Sequence, residues 1–145
     1  MRINNDIRGY VRKAVDKRAE PKRQEIVNEL TKLKSSYDEK LEKKREIVKA
    51  KLNQICAVAR TEIIEYAKTV DCKLELHNKR DFVSPNNYDI DRYLVVNGFE
   101  KVDAVEKKLQ AFDCRVNEIV DEILFKLSLG GDYDSIIKEI NNIKF

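Results

Sequence analysis

Apolar residues recur at steps of three and four along most of the chain, and that rhythm predicts a mainly helical protein. Over residues 4–19, Ile3, Ile7, Tyr10, Val11, Ala14 and Val15 share one helical face, with Asn4, Asn5 or Asp6 available as a cap. Pro21 predicts a boundary, because it disfavours helical angles in the residue before it and suits the first turn of a new helix. From residue 22 to residue 70 there is no Pro or Gly. Here Ile26, Leu30, Leu33, Tyr37, Leu41, Val48, Leu52, Ile55, Ala59, Ile63, Tyr66 and Val70 keep the three-four step, broken only where Lys43-Lys44-Arg45 turns the stripe basic. A straight helix of that length runs roughly 70 Å. It either projects as a coiled coil or breaks near Ser35-Ser36 and returns.

The pattern changes over residues 71–98. Cys72, Leu74 and Leu76 alternate with Lys73, Glu75 and His77, which is a strand signature. A loop with Pro85, Asn86 and Asn87 follows, and Tyr93-Leu94-Val95-Val96 is a second β-prone run closed by Asn97-Gly98. The helical rhythm resumes over residues 99–128 through Val102, Val105, Leu109, Phe112, Val116, Ile119, Ile123 and Leu127, and Gly130-Gly131 stops it. A last short helix over residues 132–145 is capped by Asp132 or Asp134, with Tyr133, Ile136, Ile137, Ile140 and Ile143 on its apolar side. The expected fold is thus one mainly α domain, residues 1–145. It comprises a basic N-terminal helix (1–20), a long helix (22–70) antiparallel to a second (99–128), a small two-stranded β insertion (71–98) and a short C-terminal helix. The stripes are long for one chain, which predicts a homo-oligomer, a dimer first, with the Ile-rich last helix as the element to swap or dock.

Composition narrows the function. Apolar residues make up 42% and charged residues 38%, a balance suited to long helices with solvated outer faces. No run approaches the roughly 20 apolar residues of a membrane span, and the first residues hold no apolar signal, which together predict a cytoplasmic protein with no membrane partner. One His and three Cys (Cys56, Cys72, Cys114) fall short of a metal site, so no metal or cofactor is expected and the thiols read as reduced. No phosphate-cradling Gly-rich loop and no Gly-x-Ser-x-Gly occurs. A Cys72–His77 pair is the one conceivable nucleophile and base, and a lone His beside a loop is usually a surface residue. Asp89 and Asp91 read as turn formers. The balance of these features leans away from catalysis, and no catalytic residue is assigned.

Charge is unevenly placed. Residues 1–23 hold eight basic side chains against three acidic, a balance of +5, whereas residues 99–145 hold seven against ten, a balance of −3. The candidate binding face is therefore basic: Arg8, Arg12, Lys13, Lys17, Arg18, Lys22 and Arg23. Such a helix can track phosphates without reading bases. The competing reading is a solvated face opposite Ile7, Val11 and Ala14. There is no aromatic ladder for single strands and no helix-turn-helix spacing.

The opening Met1-Arg2-Ile3-Asn4-Asn5-Asp6-Ile7-Arg8 and the closing Leu127-Ser128-Leu129-Gly130-Gly131-Asp132 resemble the two ends of small bacteriophage proteins grouped as the fifth nucleotide-modification-associated domain family. The resemblance implies a phage or prophage origin, acting in the host cell, and carries over no catalytic residue. A phage accessory protein without enzyme motifs is expected to bind: here a host protein or nucleoprotein, for example as an inhibitor of restriction or CRISPR defence. Two alternatives stand beside it, a DNA-associated accessory factor of nucleotide modification and a coiled-coil structural or assembly protein.

Overall fold

The computed structural model describes residues 3–75 and 87–145. Four helices occur among them: α1 (Asn5–Thr69), α2 (Tyr88–Tyr93), α3 (Phe99–Ser128) and α4 (Tyr133–Asn141). They form two compact units, one of Met1–Ser35 with Glu100–Phe145, the other of Ser36–Phe99. The helical core of the expectation holds; the β insertion does not.

In the first unit, Asn4 starts α1 by accepting the Ile7 N–H at 2.9 Å through its side chain. Val11, Val15 and Ala19 then stack on one face of α1 and are buried against Val116, Ile119, Val120, Ile123 and Leu127 of α3 and Ile136 and Ile140 of α4. Helices α1 and α3 run antiparallel. Arg23 meets Asp113, Glu29 meets Lys108, and Lys34 meets Glu106, so positions rise on one helix as they fall on the other. The stripe of α3 is therefore covered chiefly by the N-terminal part of α1. The isoleucines of α4 are likewise committed to this core, and the last helix is not a free docking element.

The boundary expected at Pro21 is absent, because α1 continues through it. Proline removes the N–H that would serve the carbonyl four residues back and crowds it. Both Lys17 and Pro21 are exposed, so water can take that carbonyl, while Val15, Ala19 and Ile26 hold the helix from its buried side. Ser35-Ser36 do not interrupt the helix either.

Helix α3 ends as its glycines predict. Gly130 adopts φ +89° and donates to Leu127 O, and Gly131 donates to Lys126 O at 3.0 Å, a six-to-one closure that satisfies the last carbonyls. Asp132 then caps α4, accepting from the backbone N–H and the hydroxyl of Ser135. Those hydrogen bonds, the hydroxyl first, hold its carboxyl below the ordinary aspartate range. A Cβ on Gly131 would lie 2.8 Å from Lys126 O and 3.2 Å from Ile136 Cδ1. Gly131→Ala is expected to cost about 1–3 kcal/mol, because a backbone oxygen has to move. Urea unfolding checks this, and an unchanged midpoint would show that the turn relaxes freely.

In the second unit α1 runs on to Thr69 and closes without glycine. Asp71 takes φ 57°, Asp71 N–H donates to Lys68 O, and Cys72 N–H donates to Ala67 O at 2.8 Å. The expected two-stranded insertion does not form among the described residues. Residues 72–75 are irregular, and the Cys72 N–H is spent on the helix cap, not on a ladder. Tyr93 ends α2, residues 94–96 have no regular structure, and the Val96 N–H reaches the Tyr37 hydroxyl at 3.4 Å. No strand occurs among the described residues. Alternation over four or five residues makes a strand only if a neighbour supplies the other half of the ladder. Leu76, His77, Pro85 and Asn86 lie outside the described residues.

The basic break in the long stripe has a structural use. Arg45 donates to Asp91 O at 2.6 Å, and Lys49 pairs with the Asp91 carboxylate. Helix α2 stops two residues after Asp91, so no N–H of its own reaches that carbonyl, and the guanidinium takes its place. Asp89 and Asp91 are thus first-turn helix residues and not turn formers.

Candidate binding face

Burial of Val11, Val15 and Ala19 fixes the roll of α1, and the roll decides what each of the seven cations can do. Those on the flank toward α3 are used inside the fold. Arg12 donates through Nε to Asp16 at 3.0 Å and through Nη1 to the Asn117 side chain. Arg23 forks onto Asp113, with Nε 2.9 Å from one oxygen and Nη2 3.4 Å from the other. That hydrogen bond, then the charge of Asp113, raises the guanidinium above its already high ordinary value. Lys22 pairs with Glu25 at 2.9 Å, and the contact lowers the Glu25 carboxyl. These pairs are solvent-facing, so each contributes little stability alone. They nevertheless neutralise Arg12, Lys22 and Arg23.

Arg8, Lys13, Lys17 and Arg18 are exposed, and none forms an ion pair among the described residues. Three of them border one depression. Lys13, Lys17 and Arg18, with Tyr10 and Ala14 of α1 and Asn141 at the end of α4, line an open groove of about 500 Å³. No carboxylate is among its lining residues. Tyr10 also stacks near Tyr133, with ring centroids 5.9 Å apart. Desolvation first, then the neighbouring Tyr10, pushes the Tyr133 phenol above its ordinary value. The groove offers two ammonium groups, a guanidinium, a phenol hydroxyl and a carboxamide, a donor set suited to phosphate or carboxylate oxygens.

The neighbouring groove on the α3 side differs in kind. Arg12, Asp16, Glu20, Arg23, Asp113 and Asn117 line it, so its cations face their own anions. Five residues of the seven-residue face expected from sequence therefore fall on two surfaces, Arg12 and Arg23 on a self-neutralised one and Lys13, Lys17 and Arg18 on one free to meet an anion, while Arg8 and Lys22 line neither. Sequence reasoning missed Tyr10, taken as a core position although half of it is exposed, and Asn141, which sits far along the chain. Nothing in the local pattern could have joined Asn141 to Lys13.

Other chemistry leaves little trace. Among the described residues no group of three or more His, Cys, Asp or Glu side chains is placed to hold a metal ion, and no helix is long and apolar enough to cross a membrane. Cys56, Cys72 and Cys114 are free thiols, and His77 lies outside the described residues. No protein-family model, curated protein or solved structure matches the chain.

Proposed function

We propose that the protein is a non-catalytic binding protein, directed at a host nucleoprotein, whose groove around Lys13, Lys17 and Arg18 engages phosphates. The carrying observation is the division of labour among the cations. Arg12, Lys22 and Arg23 answer acidic partners of the same chain, whereas the groove cations answer none and no carboxylate interrupts them. Three cations neutralise only about three phosphates, which gives weak, salt-sensitive contact with bare nucleic acid. Tight binding then needs protein surface as well, which favours a nucleoprotein over a naked duplex. The phage setting, and with it an anti-defence role, comes from the resemblance of the two chain ends.

Fluorescence anisotropy with a labelled DNA duplex tests the phosphate component. Binding at low salt is expected to weaken with a slope of log K against log salt of about −3, one unit for each groove cation. A flat salt response, or no binding even at about 20 mM salt, removes phosphate recognition and leaves an acidic protein face as the partner of the groove. Size exclusion with host extract then distinguishes a discrete protein complex from a nucleic-acid-dependent one by its response to nuclease.

A further inference from the structure

The second half of α1 carries an apolar face that the described residues of the second unit leave exposed. Ile47 is 62% exposed, Ile55 and Val58 are each 53% exposed, and Tyr66 is 69% exposed. These residues lie on the side of the helix away from Leu52, Cys56, Ile63 and Ala67, which are half-buried or buried. A shallow groove of about 260 Å³ runs along the middle of this face, between Lys51 at one end and Glu62 at the other.

The order of residues on this face is self-complementary. About the midpoint between Cys56 and Ala57, Ile55 mirrors Val58, Gln54 mirrors Ala59, Lys51 mirrors Glu62 and Ile47 mirrors Tyr66. We infer that residues 47–66 are the contact face of an antiparallel homodimer, in which α1 of a second copy lies across α1 about a two-fold axis at that midpoint. A two-fold interface uses the same patch on both copies, so each residue must suit its mirror position. Here apolar meets apolar, the small Ala59 leaves room for the Gln54 amide, and Lys51 meets Glu62 of the second copy twice. The parallel alternative sets Lys51 against Lys51 and Glu62 against Glu62. Charge therefore selects the antiparallel arrangement. Ile47 and Val58, Lys51 and Glu62, and Ile55 and Tyr66 are each eleven residues apart, a period close to that of a straight helix. The face thus stays on one side of α1 over about 30 Å, and the small excess over about 3.6 residues per turn is met by a shallow right-handed winding of the two helices. Glu62 makes no ion pair among the described residues.

This face belongs to the second unit and is independent of the basic groove in the first. Sedimentation velocity over a concentration series tests it on the full chain. The wild type is expected to dimerise at tens of micromolar or below, the range fitting a contact at the small end of specific interfaces. Lys51→Glu and Glu62→Lys are each expected to weaken the dimer at least about tenfold, because each sets like charges opposite one another twice. The double variant Lys51→Glu/Glu62→Lys is expected to recover dimerisation, since the pairs re-form with signs exchanged. Circular dichroism is expected to stay unchanged throughout, because both side chains are exposed. A wild type that is monomeric at tens of micromolar overturns the inference, as does a dimer indifferent to the single reversals or one that the double variant fails to restore.

Discussion

Ile123→Asp is expected to abolish folding of the first unit. Ile123 is 2% exposed and sits among Val11, Val15, Leu127, Ile136 and Ile140, where three helices meet. A carboxylate there loses the apolar contact and finds no cation within that cluster. Burying an unpaired charge is among the few single changes that cost more than about 4 kcal/mol. A domain of this size holds only about 5–15 kcal/mol in all. Phe125→Asp is the matched control. It lies two positions away on the same helix but is 63% exposed, so its cost should stay under about 1 kcal/mol, mostly helix propensity. Thermal and urea melts followed by circular dichroism separate the two. Equal destabilisation by both variants would mean that the stripe of α3 is not the core. Leu109, only half-buried, should fall between them.

The contrast between Ile123 and Phe125 was legible in the sequence, because a three-four rhythm reports which side of a helix is covered. The bounds of α3, the glycine stop and the Asp132 cap follow from equally local chemistry. What covers the stripe is not local. Val11, Val15 and Ala19 and the apolar residues of the long middle were both eligible partners for α3, and only the fold chooses. The passage of α1 through Pro21 has the same origin, since the packing of Val15, Ala19 and Ile26 outweighs the local preference for a break. The strand signature failed for the reverse reason: Cys72, Leu74 and Leu76 alternate, but the described part of the segment has no ladder, and a helix cap claims the first N–H. At the candidate site, all seven cations were visible and their division was not. The partner of Arg23 lies ninety residues away, so no window on the sequence could tell a clamping arginine from a free one.

That division yields the second large effect. Lys13→Glu/Lys17→Glu/Arg18→Glu is expected to weaken binding to an anionic partner at least about 100-fold, because three attractive contacts become repulsive in one groove. The same triple variant should melt within about 1 °C to 3 °C of the wild type, since exposed side chains outside the ion pairs contribute little to stability. Arg12→Ala/Arg23→Ala should do the opposite. It removes the Asp16, Asn117 and Asp113 contacts together with the packing of two long side-chain stems, for about 1–2 kcal/mol, while leaving the groove cations in place. Its affinity should stay within about threefold of wild type at temperatures where the protein is folded. Anisotropy with the labelled duplex reads binding, and differential scanning calorimetry reads stability on the same samples. If the two variants lose binding equally, the basic helix acts as a diffuse charge and the groove has no special role. If the triple variant binds as well as wild type, the groove cations are a solvated face, and the anion-binding reading falls with them.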